Sequence, residues 1–368
     1  MRRPLHAMAT LSVLVALMTA TRFCGVTEGF AVGGGPWLRR KRTPRQQLGP
    51  VTCPTRTTSS LSLAAMEDED DGLVFEYQYN DDPDDLRDVC KSLSKQSSLS
   101  FDLEAEFNRH RYGMHLCLLQ IATDPNINDD QTIYLIDPVP LNEHLGMLWD
   151  ILENPDIQLV VHGADSDLLL LDYLFGVHPT NLFDTDKAAA LLLQEERIRN
   201  VSLKSLLKKY FDIDKNADLA KSNWGIRPID EIMCQYAALD VAFGHELRNL
   251  LALELEQQGL TKDHELLCKQ LEELRYVEKP ASERIKKIKG YRYLSAKERR
   301  TLEEIYKVRE AIAESMDKPP FYLINNRRLM ELCRDPPRDW SQVKGVHPKV
   351  RKKGRAFRRA VAIARSQP

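Results

Sequence analysis

The chain has 368 residues, of which 43% are hydrophobic and 29% are charged, so it is long enough for two globular domains and lacks the composition of a disordered protein. Its formal net charge is only −2, yet residues 1–65 carry +8, residues 66–278 carry −25 and residues 279–368 carry +15. This sorting favours a basic module for a polyanion joined to an acidic module that could hold cations, with two ordinary solvated surfaces as the alternative.

The first 65 residues have the composition of a targeting segment. Two arginines precede an apolar run of 15 residues, Ala7 to Thr21, which is too short to span a membrane and has the length of a signal-peptide core. Between Glu28 and Glu67 the chain has no acid and is rich in Arg, Ser and Thr, as organelle transit peptides are. This arrangement resembles the two-part presequences of algae with complex plastids. We therefore expect a plastid address, with a mitochondrial presequence or a plain secretory signal as alternatives, and no membrane association of the mature protein.

The cysteines and the missing motifs narrow the class of protein. Five cysteines lie beyond the presequence: Cys90, Cys117, Cys234, Cys268 and Cys333. They form no CxxC pair and no zinc-like spacing with His, which predicts buried or free thiols in a reducing compartment. The chain also has no GxSxG elbow, no Gly-rich loop ending in GK[ST] and no HExxH motif, so those hydrolase and nucleotide-binding classes lack support.

Strand and helix patterns alternate from about residue 97. Short apolar runs rich in β-forming residues predict four strands, at Ser98 to Glu104, Met114 to Thr123, Gln131 to Val139 and Ile157 to Ala164. Helical periodicity then predicts helices at Asp165 to Phe175, Asp186 to Gln194, Ser202 to Tyr210 and, as one long helix, about Ile229 to Gln257. Three strands in close succession followed by strand-helix alternation indicate an α/β domain with a mixed sheet. After about residue 262 the pattern is helical throughout.

Five residues in this region are candidates for a site. Residues two apart in a strand point the same way, so Asp102 and Glu104 share one face about 6.5 Å apart. Asp167 follows the fourth predicted strand at the start of a helix, and Tyr236 and Asp240, four apart, share one helical face. Taken singly, each has a bland interpretation as a solvated acid, a helix cap or a core aromatic.

Taken together, these residues resemble the three exonuclease motifs of the DEDD superfamily, in its tyrosine-bearing branch. Asp-x-Glu is followed by an Asp five residues after the His of HGADSD, and then by Tyr-x-x-x-Asp in YAALD. The flanking stretches NLFDT, SLKSLLKKYF and NWGIRP are similar to RNase D and to its eukaryotic relative that serves the nuclear exosome. The resemblance covers roughly residues 73–255 and implies an α/β, RNase H-like exonuclease domain with a mixed sheet.

The resemblance also implies roles for the five residues. Asp102, Glu104, Asp167 and Asp240 would hold two divalent cations, and such hard oxygen ligands suit Mg²⁺ or Mn²⁺. Tyr236 has a phenol with a reference pKa near 10, which makes it a poor base, so it would orient the attacking water by hydrogen bonding. His162, the His of the second motif, is a candidate nucleic-acid contact.

Some positions depart from the family pattern. Ala105 and Leu170 stand where exosome-type relatives commonly carry a His and a Trp, which leaves base stacking at that point open. Gln235 stands where the related branch has its catalytic His, and His245 lies on the wrong side of Asp240 and is interpreted as structural.

Two further acids lie near the motifs. Asp165 and Asp184 are interpreted as a turn or helix-cap residue and a supporting residue, with direct metal ligation as the alternative.

The basic end of the chain resembles a helicase-and-RNase-D C-terminal (HRDC) domain, an all-α five-helix bundle, over residues 294–368. Residues 256–293 are interpreted as a helical and polar linker. A late cluster of basic side chains favours contact with nucleic-acid phosphates over a scaffold role: Lys344, Lys349, Arg351, Lys352, Lys353, Arg355, Arg358 and Arg359.

These observations predict a metal-dependent 3′-5′ exoribonuclease that releases nucleoside 5′-monophosphates. Its expected substrates are RNAs with single-stranded 3′ ends and structured precursors. Two alternatives stay open at this point: a Werner-type 3′-5′ DNA exonuclease, and a non-catalytic nucleic-acid-binding or assembly protein. An exosome-like role would favour the nucleus over the plastid.

Overall fold

The computed structural model describes residues 73–125, 130–193 and 201–366. The presequence predicted at residues 1–65 lies outside this part of the chain. Within the described residues no helix is both long and apolar enough to cross a membrane.

Six strands form one mixed sheet in the order β1-β4-β3-β2-β5-β6. The strands are β1 Gln78–Asn80, β2 Ser98–Phe107, β3 Met114–Thr123, β4 Ile133–Ile136, β5 Gln158–Val161 and β6 Leu182–Asp184. β3 is antiparallel to both β2 and β4, and the other three neighbouring pairs are parallel. The prediction of a mixed sheet is confirmed. The edge strands β1 and β6 were missed because three residues are too few to show a period.

Nine α-helices of the described residues before 273 surround the sheet: α1 Pro83–Leu93, α2 Pro138–Leu141, α3 Gly146–Leu152, α4 Asp165–Phe175, α5 Thr185–Leu192, α6 Leu203–Phe211, α7 Glu231–Ala242, α8 Gly244–Gln258 and α9 Thr261–Glu272. Alternation along β2 decides which face is apolar. Leu99, Phe101 and Leu103 lie in one core with side chains of α1, α3 and α4. Asp102 therefore points to the opposite face, which α7 and α8 cover.

The prediction of one long helix from about Ile229 to Gln257 is wrong. The structure has two helices there, α7 and α8, which meet at Phe243. The division coincides with a close approach of backbone to sheet. A Cβ atom on Gly244 would lie 2.0 Å from Ser100 Oγ and 2.8 Å from Ser100 Cβ. Only glycine fits there, so α8 starts afresh against the strand that carries Asp102.

The stretch interpreted as a linker, residues 256–293, includes a helix that packs on the sheet domain. In α9, Cys268 and Leu271 lie in the same core as the sheet. The ring of His264 bonds to the carbonyl oxygen of Asp184 at 3.0 Å, and Leu182 N–H donates to Glu272 Oε1 at 3.1 Å. α9 therefore covers the β6 edge of the sheet.

The C-terminal region is all helical and has its own core, as predicted. Its helices are α10 Ala281–Arg284, α11 Ala296–Ser315, α12 Pro320–Leu323, α13 Asn326–Arg334, α14 Pro348–Lys352 and α15 Gly354–Ser366. Ser295 and Glu298 form a capping box that starts α11. Trp340 stacks on Phe357 with 4.5 Å between ring centroids. The five cysteines beyond the presequence are all free and buried, as expected.

A loop of the sheet domain contacts this bundle. The turn between β2 and β3 carries Arg111, whose Nε donates to Asp317 Oδ2 at 2.9 Å, and Tyr112, whose N–H donates to Asp317 Oδ1 at 3.3 Å. The Tyr112 side chain packs against the core of the bundle. The bundle thus contacts the loop at the end of the strand that bears Asp102 and Glu104.

Candidate active site

The first pair of acids is presented by β2. Asp102 pairs across the sheet with Gln120, and Glu104 pairs with Leu118, so both acids keep the same face. A β-bulge follows between Glu104 and Ala105. Bulges interrupt the alternation of faces, so the shared face ends directly after Glu104. The expected geometry of this pair is thus present in the strand.

Asp167 is held by the turn that joins β5 to α4. Gly163 adopts φ +64°, a conformation that favours glycine, and so lets the chain reverse after β5. The fully buried Asp184 accepts hydrogen bonds from the N–H groups of Gly163 at 3.0 Å and Ala164 at 3.1 Å. It also caps α5 by accepting from Asp186 and Lys187. Asp184 therefore fixes the turn before Asp167, and it acts as the supporting residue that was expected.

Tyr236 and Asp240 lie one turn apart in α7 and are both buried. The indole of Trp224 lies beside the Tyr236 ring, with 6.0 Å between ring centroids. The Trp224 segment is tied down by Arg227, which donates to Cys117 O at 2.6 Å and pairs with Asp137. The NWGIRP stretch thus places the buried Trp224 against the Tyr236 ring.

Lys215 is the residue that sequence reasoning missed. It lies between α6 and the short 3₁₀ turn Leu219–Lys221, and it is only 7% exposed. Its ammonium forms an ion pair with Asp240 Oδ1 and lies 4.1 Å from the centroid of the Tyr236 ring. In the sequence it stands in an acid-rich stretch, DIDKNAD, that has the appearance of a solvated loop, so no local signal marked it.

The electrostatics show that the acids lie within one another's field. Burial first, then the charges of Asp102 and Asp167, raise the pKa of Glu104 well above its ordinary value. Burial and the charge of Asp102 raise the pKa of Asp167 in the same way. Burial raises the pKa of Asp102 to about 6, against the opposing charge of Lys215. Burial lowers the pKa of Lys215 to about 8, although Asp102 and Glu104 act to raise it.

The Tyr236 phenol is kept in its neutral form. Burial and the negative charges of Glu104 and Asp102 raise its pKa above the ordinary value near 10. A phenol with a raised pKa donates a hydrogen bond and does not remove a proton near neutral pH.

The donor chemistry of the site fits divalent cations. The four carboxylates offer only oxygen ligands, as hard cations prefer, and within the described ranges no Cys or His forms a metal-binding group with them. Among the described residues, however, no three His, Cys, Asp or Glu side chains stand close enough together to hold a metal ion as they are. Asp240 is paired with Lys215 instead. The residues therefore fit divalent cations in the type of ligand they offer.

Other candidates from the sequence lie outside this cluster or serve the fold. His162 is half-buried, its Nδ1 lies 2.9 Å from Thr185 Oγ1, and burial lowers its pKa. His245 is fully buried in α8. Gln235 bonds with both the N–H and the carbonyl of Phe75. Leu170 is fully buried in the core and cannot stack on a base. Asp165 pairs with Lys187 at 2.7 Å at the start of α4.

The basic cluster of the C-terminal bundle lies at its surface, around α14 and the start of α15. Its members are exposed except Lys349, which is half-buried, and they form no ion pair with another described residue: Lys344, Lys349, Arg351, Lys352, Lys353, Arg355, Arg358 and Arg359. Side chains free of such partners are available to phosphates.

Family models match both regions of the chain. Residues 77–256 match a 3′-5′ exonuclease model, and residues 298–361 match an HRDC domain model. The exosome complex component 10 homolog of Caenorhabditis elegans is 28% identical over 303 residues, which cover 81% of this chain and 32% of that protein. The chain spans about a third or less of the length of the first curated relatives it matches.

Solved structures show the same fold. The catalytic core of RRP6 from Trypanosoma brucei has a TM-score of 0.68 and 22% identity, with coverage of 78% of this chain and 79% of that chain. Escherichia coli RNase D, described as an exoribonuclease involved in structured RNA processing, has a TM-score of 0.64 and 22% identity, with coverage of 80% of this chain and 76% of that chain.

Proposed function

We propose that this chain, which carries a DEDD 3′-5′ exonuclease domain followed by an HRDC domain, is a divalent-metal-dependent 3′-5′ exoribonuclease that releases nucleoside 5′-monophosphates in RNA 3′-end processing or turnover. The observation that carries the proposal is the meeting of Asp102, Glu104, Asp167, Tyr236 and Asp240 in one electrostatically coupled cluster. These residues come from β2, α4 and α7, so their meeting is a property of the fold and not of any one segment.

Exonucleases of the DEDD family use divalent metals, and we propose Mg²⁺ or Mn²⁺ here. Asp102, Glu104, Asp167 and Asp240 would hold the ions. When bound, two such cations activate water for attack and stabilise the charge that develops on the leaving oxygen. The protein supplies the carboxylates, already partly shielded from solvent, and the neutral Tyr236 phenol, which donates a hydrogen bond to orient the attacking water.

The choice of RNA over DNA rests on the relatives, which include a protein named as an exosome component. RNA differs from DNA at the 2′-hydroxyl. Labelled single strands of equal sequence in RNA and DNA, incubated with Mg²⁺, test this choice. Faster loss of nucleotides from the RNA 3′ end supports it; preferential DNA digestion would favour the Werner-type alternative, and no digestion of either the non-catalytic one.

The variant Asp167→Asn tests the metal centre. It removes one carboxylate charge in nearly the same volume, so we expect kcat to fall at least about 1,000-fold. The melting temperature of the metal-free protein should not fall, because the raised pKa of Asp167 shows that the neutral form is favoured there. Near-normal turnover in a nuclease-free preparation of this variant would reject the site.

From the composition of residues 1–65 we propose that the protein is targeted to a plastid. The nucleus is the alternative that the exosome-component relatives suggest. Residues 1–65 fused to a fluorescent protein should enter the plastid of an alga with a complex plastid. Deletion of Arg39 to Arg45 should leave the fusion on the secretory route. Nuclear fluorescence of the full-length protein would contradict the plastid address.

A further inference from the structure

Lys215 lies where a lysine is seldom found. Lysine is almost never fully buried unless it is paired. The Lys215 side chain is only 7% exposed, and its ammonium contacts both the Asp240 carboxylate and the Tyr236 ring. Asp102 and Glu104 also act on its charge. An ammonium in contact with both the last acid and the tyrosine of the cluster belongs to the site, and neither the sequence motifs nor the proposed mechanism gives it a role.

A count of charges gives that role. Without metal, the ammonium pairs with Asp240, and among the described residues no other cation forms an ion pair with Asp102, Glu104, Asp167 or Asp240. Two divalent cations would balance all four carboxylates and leave the ammonium without a counter-ion. A phosphodiester carries one negative charge, which would balance it.

We propose that Lys215 changes partner: its ammonium is the counter-ion of Asp240 in the metal-free protein and the contact for the scissile phosphate once cations occupy the site. This inference rests on the proposed function. The long, flexible lysine side chain can make such a move without a change of backbone, because its ammonium is a compact charge with three donors on a four-carbon stem. Lys215 then both protects the empty carboxylate cluster from self-repulsion and binds substrate.

The first experiment measures thermal stability and metal affinity in the full chain. In EDTA at pH 7, where the ammonium is mostly charged, Lys215→Met should lower the melting temperature by about 5–10 °C, because the buried Asp240 carboxylate loses its partner. Saturating Mn²⁺ should close that gap to within about 2 °C. By titration calorimetry the variant should bind Mn²⁺ about 10-fold more tightly than the wild type, since no ammonium has to be displaced. Lys204→Met, the same change at an exposed position of α6, is the matched control and should alter none of these values.

The second experiment measures phosphate binding without catalysis, with AMP as the probe in saturating Mn²⁺. Lys215→Met should weaken AMP binding at least about 10-fold, and Lys215→Arg, which keeps the charge, should restore part of both the AMP affinity and the stability in EDTA. The proposal that Lys215 changes partner would be overturned if Lys215→Met left any one of three quantities unchanged: the stability in EDTA, the Mn²⁺ affinity or the AMP affinity. Failure of the wild type to bind Mn²⁺ would overturn the proposed function and this inference with it, whereas normal wild-type binding with an unaltered variant overturns the inference alone.

Discussion

At the scale of single residues, the site is a group of buried acids that the fold keeps close together. Burial and proximity make it unfavourable for these carboxyl groups to be charged. Burial raises the pKa values of Asp102, Glu104 and Asp167, and the charge of Asp102 raises those of Glu104 and Asp167 further. Such clusters are typical of functional sites, since an ordinary core has no reason to collect like charges. Burial and the same negative charges also raise the pKa of Tyr236, so its phenol stays neutral and remains a hydrogen-bond donor.

The raised pKa values predict how stability depends on pH. An unfolded Asp titrates near 4, whereas Asp102 in the folded chain titrates at about 6, so the folded metal-free protein binds more protons over this range. The stabilisation is full below about pH 4 and is lost as the pH rises through about 6. We expect the melting temperature in EDTA to fall between about pH 5 and pH 7, and the stabilisation by Mn²⁺ to grow over the same range, because cations replace protons.

Scanning calorimetry of the wild type and of Asp167→Asn checks this prediction. The variant lacks one of the carboxyl groups whose pKa is raised, so it should lose less stability over the same pH interval. A wild-type melting temperature that rises relative to the variant between pH 5 and pH 7 would contradict it.

At the scale of elements, the close contact of α8 with β2 connects packing to the site. Gly244 lies against Ser100, two residues before Asp102 on the same face of the strand. The start of α8 therefore sets the position of the strand that presents the first acids, and α7, which ends directly before it, presents the last.

Gly244→Ala tests this contact. Its new Cβ would overlap both heavy atoms of the Ser100 side chain, so we expect the free energy of unfolding to fall by about 1–3 kcal/mol and cleavage to slow. Gly146→Ala is the control, since a Cβ there meets no atom within 4 Å and should be neutral or stabilising. The double variant Gly244→Ala with Ser100→Gly should recover much of the loss in a urea titration. Equal stability of the two single variants would mean that the contact is not tight.

At the scale of the whole molecule, charge is divided between two regions that touch. The residues from 66 to 278 carry −25 and those from 279 to 368 carry +15. The acidic region repels a polyanion over most of its surface, so capture of RNA should depend on the basic bundle. The contact of Arg111 and Tyr112 with Asp317 joins that bundle to the loop that follows β2. An exposed ion pair of this kind contributes little energy, and its geometric role is to set where the bundle meets the loop.

Neutralising the exposed cluster tests RNA capture. Replacing Arg351, Lys352 and Lys353 together with Gln should weaken binding of long RNA and reduce the slope of log affinity against log salt by up to about 2, at about 0.7 per lost contact. Cleavage of a very short oligonucleotide, which reaches only the carboxylates, should change little.

The matched control replaces three exposed basic residues of the acidic region, Arg87, Lys91 and Lys95, with Gln, and so removes the same charge elsewhere. Filter binding from low to moderate salt measures all three proteins. Equal slopes for the two variants would mean that the bundle is a scaffold.

Much of this protein was determined by its sequence alone. The acids Asp102, Glu104 and Asp167, with Tyr236 and Asp240, could be named beforehand because their order and spacing resemble the motifs of the DEDD superfamily. Each of these motifs is local: a strand of period 2, a turn after a strand, one turn of a helix. The mixed sheet followed from the order of the apolar runs, and the helical bundle from periodicity and its resemblance to HRDC domains. These features depend on near neighbours in the chain, where backbone geometry fixes which side chains share a face.

Only the tertiary structure decided the features that depend on distant contacts. The division between α7 and α8 follows from the approach of Gly244 to Ser100, which lies 144 positions earlier in the chain and leaves no trace in helical periodicity. The edge strands β1 and β6 exist because longer strands offer them partners. Lys215 was invisible for the same reason. In its own stretch of sequence it is one charge among acids. It becomes part of the site only because the fold brings that loop against Tyr236 and Asp240. Away from water, the interaction of a single charge with its neighbours is much stronger than at the surface.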